Sequence, residues 1–213
     1  FSINEFRIET LRQFCSDGGN FEGSTAYHRF GFEMLCYTSS IILGCSKKRL
    51  NLLEKIKEKS YKKLNKNFIY NNEQNKKPYY ILKEEEEKYI LFSYKFMKRL
   101  YNCLDFTKSI IFPDNCIIQI GDNDSGRFFK VLPLYEKLLF LEAKKRFYYL
   151  FNNSENIKEK FYFNEIHNYG MHQMDQAVGL GLIDNNPNKK SIETLLIELL
   201  CNGKKLKIEN SNL

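Results

Sequence analysis

Apolar side chains recur every three or four positions through most of this chain, and that period constrains the fold more than any other feature. Across residues 2–15, Ile3, Phe6, Leu11 and Phe14 lie at helical spacing. A second helix is predicted from Ser24, a favourable N-cap, through Tyr27, Phe30, Met34, Leu35 and Ile41 to about Gly44. A third is predicted from Lys47 to about Asn65. A fourth is predicted to start at Glu84–Glu87, where carboxylates suit the helix dipole, and to continue through Phe92, Phe96, Leu100 and Leu104. Helical spacing returns from Leu134 to Leu150 and from Ser191 to Cys201, with Gly203 as the last helix's stop.

The intervening segments are polar. Residues 66–79 form an Asn-rich loop or insertion, 112–115 a turn, 116–120 a short extended run, and 121–127 a tight polar loop. Residues 179–188 are Gly/Asn-rich, and 204–213 are predicted to be a frayed basic tail. Gly and Pro number only 11 and 4 in 213 residues, too few for a turn-dense all-β chain. The fold class expected is therefore all-α: an array of antiparallel helix pairs in one domain spanning residues 1–213.

Several functional classes are excluded by simple counts. No apolar run approaches the ~20 residues of a membrane helix. The six cysteines contain no C-x-x-C pair, which argues against a zinc ribbon or a thioredoxin-like motif. Several of them sit among apolar neighbours, as buried thiols do. Lysine plus arginine exceed aspartate plus glutamate by 33 to 26, a net charge of +7. That balance suits an anionic partner, although a coding bias toward Asn, Lys, Ile, Tyr and Phe produces it equally well. No helix-turn-helix, RNP or zinc motif supports nucleic acid as that partner. No export signal is visible downstream of Phe1.

Two loops interrupt the helical pattern with chemically capable residues. In the first, Asp17-Gly18-Gly19-Asn20-Phe21-Glu22-Gly23-Ser24-Thr25-Ala26-Tyr27-His28, glycines permit unusual backbone angles just before a helix start. Glu22, Tyr27 and His28 could converge at the helix N-terminus, where free N–H groups favour an anion. The competing structural roles are a cap for Glu22, packing for Tyr27 and a satisfied core site for His28. The second loop is Gly121-Asp122-Asn123-Asp124-Ser125-Gly126-Arg127. It lacks the spacing and terminal Glu of an EF-hand, and no metal site is evident. Asp122 and Asp124 with Arg127 suggest an internal ion-pair knot; the alternative is that Arg127 forks onto a substrate carboxylate.

Together, D-G-G-x-F-E-G-S-x-x-Y-H at Asp17–His28 and I-G-D-N-D-S-G-R-F at Ile120–Phe128 resemble the heparinase II/III-like family, over residues 2 to about 150. The resemblance implies the helical part of a polysaccharide lyase: an incomplete (α/α) toroid normally followed by a β-sandwich absent from these 213 residues. It implies β-elimination on a uronic-acid-containing acidic polysaccharide, without a cofactor, in a periplasmic or cell-envelope setting. By position, Tyr27, His28 and Glu22 become the candidate catalytic residues, with the base unassigned between Tyr27 and His28. Asn20, Asn123, Asp124 and Arg127 become candidate substrate-binding residues, with carboxylate neutralisation open among Asn123, Arg127 and a protonated Glu22. His167 and His172 are expected to be surface or structural. The alternatives are a non-catalytic acidic-glycan-binding module, or an α/α-toroid glycoside hydrolase using Glu22 with Asp122 or Asp124, which requires carboxyls roughly 5–10 Å apart.

Overall fold

The computed structural model describes residues 2–56, 80–82, 88–123, 126–151, 160–184 and 190–207. The predicted loop at 66–79 and Asp124 lie outside the described residues, as does the C-terminal half of the predicted third helix. The described chain is mostly helical. Its elements are α1 (Ser2–Gln13), α2 (Thr25–Leu43), α3 (Lys47–Glu54), β1 (Tyr80–Leu82), β2 (Lys88–Tyr89), α4 (Tyr94–Ser109), β3 (Tyr135–Leu139), α5 (Phe140–Arg146), α6 (Tyr148–Phe151), β4 (Phe161–Glu165), α7 (Met171–Leu180), α8 (Ile192–Leu200) and β5 (Lys205–Lys207).

Serine caps fix three of the long helices. Ser24, Ser93 and Ser191 each hold an extended backbone, and their hydroxyls accept from the N–H groups of Tyr27, Phe96 and Thr194. α2 is the spine. It packs on α4, α7 and α8, while α1 lies on α4 and α7 on α8. The core fills the space between them with Phe32, Leu35, Cys36, Phe96, Leu100, Cys103, Leu104, Leu180 and Ile197. Because α2 is surrounded, most of its residues are buried, polar ones included.

Two small antiparallel sheets lie at the margins, one ordered β2-β1-β5 and the other a β3-β4 ribbon. Each corrects a prediction. The expected start of the fourth helix, Glu84–Glu87, lies outside the described residues; beyond it α4 starts only at Tyr94, because Lys88–Tyr89 pairs with β1 and Leu91 and Phe92 run buried into the Ser93 cap. A continuous apolar run such as Tyr89–Phe92 fits a buried extended segment as well as a helix. The helix expected over 134–150 is a strand followed by two short helices. There, Tyr135, Lys137 and Leu139 alternate outward, a period of two rather than 3.6. The tail expected to fray from 204 is fastened over its first four residues. Lys204 is buried and donates to the carbonyls of Leu43 and Cys45 at 2.7 and 2.8 Å, capping the end of α2, and Lys205–Lys207 pair with β1.

α7 was not anticipated. Gly179, assigned to a loop by composition, lies inside the helix, where a methyl group would press on Ile197 of α8. The stop is Gly181, at φ 84°, whose N–H bonds back to Ala177 and Val178.

Candidate functional site

The two polar loops meet. The Ser24 hydroxyl donates to the Asp122 carbonyl at 2.6 Å, and the Thr25 hydroxyl donates to the Ile118 carbonyl at 2.7 Å. The Thr25 N–H donates to Ile120 at 3.0 Å, and Ile120 N–H returns a bond to the Thr25 hydroxyl at 3.1 Å. Gly121 sits against Ser24 with φ 72°, a left-handed angle in a space a side chain would crowd. These bonds also occupy donors expected to be open for an anion at the start of α2: Thr25 N–H goes to Ile120, and Tyr27 N–H to its own cap.

The first loop is shaped by its own side chains. Asp17 Oδ1 accepts from Gly19 N–H and Asn20 Oδ1 from Glu22 N–H, both at 3.0 Å. Gly18, at φ 93°, lies so close to Asn102 of α4 that a methyl group would overlap the Asn102 carbonyl. The loop is thereby pinned to the bundle.

Beside the joined loops, α1 and α2 enclose a groove of about 480 Å³, within the size range of small-ligand sites. Asn20, Glu22, Tyr27 and Gly126 line it at one end. Phe6, Phe14, Phe30 and Met34 give it an apolar wall, and Glu9 adds a second carboxylate. Among the described residues, no Lys or Arg lines it. Asn20, Glu22 and Tyr27 are therefore brought together, as expected of a site. Asn123 lies exposed in the second loop, and Asp122 contributes its carbonyl to the loop junction.

His28 goes elsewhere. It is completely buried among the rings of Phe14, Phe32 and Phe106, with Nε2 2.8 Å from the Thr107 hydroxyl. Burial lowers its pKa from 6.5 to about 4, so the ring is neutral near pH 7. It occupies the core role, out of reach of a substrate in the groove. His172 is also buried, with its pKa lowered to about 4, first by burial and then by Arg127; His167 lies at the surface.

Arg127 forms the expected knot, with other partners. Its Nε donates to both oxygens of Glu33 at 3.2 and 3.1 Å, and its Nη2 to Glu33 at 3.0 Å and Glu193 at 2.7 Å. Gln176 Nε2 donates to Glu33 at 3.2 Å and Glu193 at 2.9 Å. The Tyr37 hydroxyl donates to Glu193 at 3.1 Å, and Phe128 N–H to Glu33 at 3.0 Å. Burial beside Glu193 pushes the Tyr37 phenol well above its usual range. Glu33 and Glu193 are 0% and 2% exposed, so a guanidinium held in this fork is not available to a substrate carboxylate. Sequence reasoning missed Glu33, Glu193 and Gln176. The available signal was a glutamate in the middle of the apolar run Phe30–Leu35, since carboxylates are almost never fully buried without a partner.

What the fold and site define is a mostly helical protein in which two loops are joined beside a groove that is largely apolar and carries carboxylate, phenol and amide groups. No family model, curated protein or solved structure matches the chain. Among the described residues, no group of three or more His, Cys, Asp or Glu side chains is placed to hold a metal ion.

Proposed function

We propose that this chain is the helical domain of a heparinase II/III-like polysaccharide lyase, built on an incomplete (α/α) toroid and acting by β-elimination on a uronic-acid-containing polysaccharide. One observation carries the reading: the two loops that bear the resemblance, more than ninety residues apart, are stitched together by the Ser24–Asp122 and Thr25–Ile118 bonds and border one groove. Tyr27 is the proton-transfer group, since His28 is sealed in the core. The C5 proton passes to the base, the C4–O bond breaks, a C4–C5 double bond forms, and the leaving oxygen takes a proton. Asn20 and Glu22, at the same end of the groove, hold the sugar; a protonated Glu22 would donate to its carboxylate.

A second reading, an acidic-glycan-binding module without turnover, is favoured by one feature. Arg127 and His28, the two cationic candidates, are both turned inward, and among the described residues no positive charge lines the groove. The deciding experiment incubates the full-length gene product with uronate polymers and follows the ultraviolet absorbance of the unsaturated product. The lyase reading expects product, and a loss of roughly 10²–10⁴-fold in Tyr27→Phe. Glycan retention without product establishes the binding module instead. Neither product nor retention defeats both.

A further inference from the structure

Twenty large apolar side chains are exposed among the described residues, and eleven of them fall between Phe128 and Phe163. Scattered exposed leucines are ordinary on any protein, whereas a concentration of them marks a surface that something covers. Seven of the eleven belong to one small unit formed by β3, β4, α5 and α6, whereas Phe128 and Phe129 pack on Tyr37 of α2. In the β3–β4 ribbon, Tyr135, Lys137 and Leu139 stand opposite Glu165, Phe163 and Phe161 and share a face with them. The opposite face carries Tyr162, whose ring packs on Phe147 and Phe151 of the α5–α6 segment at 5.9 and 5.4 Å. On α5 the fully buried residue is Ala143, and Leu141 and Lys145 lie on the far side of that turn. Leu141 is 74% exposed, and Tyr148 and Tyr149 are 67% and 63% exposed.

Charge narrows what can cover this unit. Its described cations are Lys130, Lys137, Lys144, Lys145, Arg146 and Lys160, against three carboxylates. All three carboxylates are engaged: Glu165 with Lys130 at 2.9 Å, Glu136 with Arg146 at 2.7 Å, and Glu142 with the Leu139 N–H at 3.0 Å. Lys137 lies over the Phe161 ring at 3.8 Å. Lys144 and Lys145, next to Leu141, face no carboxylate among the described residues. Among its described residues the unit is net positive, and a partner that matches it is anionic and takes up leucine and tyrosine side chains.

We propose that this face, centred on Leu141, Lys144, Lys145, Tyr148 and Tyr149, is a peripheral docking surface for an anionic lipid bilayer. A polysaccharide or a nucleic acid could stack on the tyrosines and neutralise the lysines, but would leave Leu141 and Leu150 in water. A headgroup layer accommodates all three kinds of side chain. Leucines enter the acyl boundary, tyrosines sit at headgroup level, and lysine stems lie along apolar surface while their ammonium groups reach the phosphates. Binding of this kind stays at the surface, in keeping with the described residues, among which no helix is long and apolar enough to cross a membrane.

The test is flotation of the full chain with phosphatidylcholine vesicles, with and without phosphatidylglycerol, at low and high salt. The expected result is flotation with the anionic vesicles only, reversed by salt. Lys144→Glu with Lys145→Glu should lower partitioning at least roughly tenfold, at about one charge's worth of attraction per lysine. Leu141→Ser with Tyr148→Ser should abolish it. These residues are exposed, so an unchanged thermal midpoint shows that each variant is folded. Several outcomes would overturn the proposal: no flotation with either vesicle, equal flotation with both, or unaltered flotation by both variants. A dimer dissolved by the leucine–tyrosine variant, or retention on an acidic polysaccharide lost in the lysine variant, each without flotation, would overturn it in favour of self-association or glycan binding.

Discussion

Replacing Arg127 by Met strands two buried carboxylates. The Arg127 side chain is 6% exposed, and its partners Glu33 and Glu193 are 0% and 2% exposed. The surface value of an ion pair, at most about 1 kcal/mol, does not apply there. Removing one member of a buried pair costs about 3–5 kcal/mol, because the remaining charge keeps its desolvation penalty and loses its compensation. Gln176 and Tyr37 still donate to the carboxylates but carry no charge. For a chain of this length each kcal/mol lowers Tm by about 2–4 °C, so the midpoint should fall by roughly 6–20 °C. Urea unfolding followed by far-ultraviolet circular dichroism gives the free energy directly. A lower midpoint with unchanged slope marks a loss of stability alone. Two companions separate charge from packing. Arg127→Lys keeps the charge, loses the fork and should cost less. Arg127→Met combined with Glu33→Gln and Glu193→Gln removes every charge and should recover most of the loss. A single-variant loss below about 1 kcal/mol, or a triple variant no better than the single, would refute this reasoning. The latter result would assign the loss to the aliphatic stem of the arginine.

Four further outcomes follow from particular contacts. His28 titrates near 4 when folded and near 6.5 when unfolded, so acidification protonates the unfolded chain first. Stability present above pH 6.5 should fall between about pH 6.5 and 4, and in His28→Phe that part of the decline should flatten when unfolding is measured across the range. Burial raises the Cys36 and Cys103 thiols well above their usual range and the Cys201 thiol to about 12, while Cys15 is exposed. A disulfide reagent should therefore label Cys15 quickly in the native protein and the other three only on unfolding, as mass spectrometry of timed samples would show. Gly18→Ala meets both a left-handed φ and the Asn102 carbonyl, so it should cost more than about 1–3 kcal/mol, a larger loss in thermal melts than Gly23→Ala, which meets no neighbouring atom. Lys204→Met removes two charge-assisted bonds that cap α2 and should cost about 2–3 kcal/mol in the same assay.

The helices that sequence made visible carry a 3.6-residue apolar stripe, and a serine cap fixes the start of two of them. α2 and α8 run as expected between Ser24 and Gly44 and after Ser191. What remained hidden depends on partners distant in sequence. A strand of five residues such as Tyr135–Leu139 acquires its identity from pairing with Phe161–Glu165, and its apolar content alone fits a helix equally well. The basic tail resembled a solvated end because lysine usually is solvated, yet Lys204 finds the orphan carbonyls at the end of α2. The same limit governed the site. Asn20, Glu22 and Tyr27 came from a local motif and stand together at the groove. His28, adjacent to Tyr27, points inward because successive helical residues differ in direction by about 100°. The knot on Arg127 was anticipated, but its carboxylates come from α2 and α8, which no local spacing in the second loop could indicate.

The seam between the two loops makes the groove a product of ring closure. Its bonds join residues 93 to 98 positions apart, so the junction of the two loops cannot form until the whole intervening chain has returned to α2. Closure entropy grows only with the logarithm of ring length, about 0.6 kcal/mol for each doubling. A change in the length of that ring therefore hardly changes the cost of bringing Ser24 to Asp122. Such a molecule can vary widely in length between its two motifs and keep the junction itself, and the invariant to seek in any relative is the hydroxyl-to-carbonyl stitching rather than the spacing.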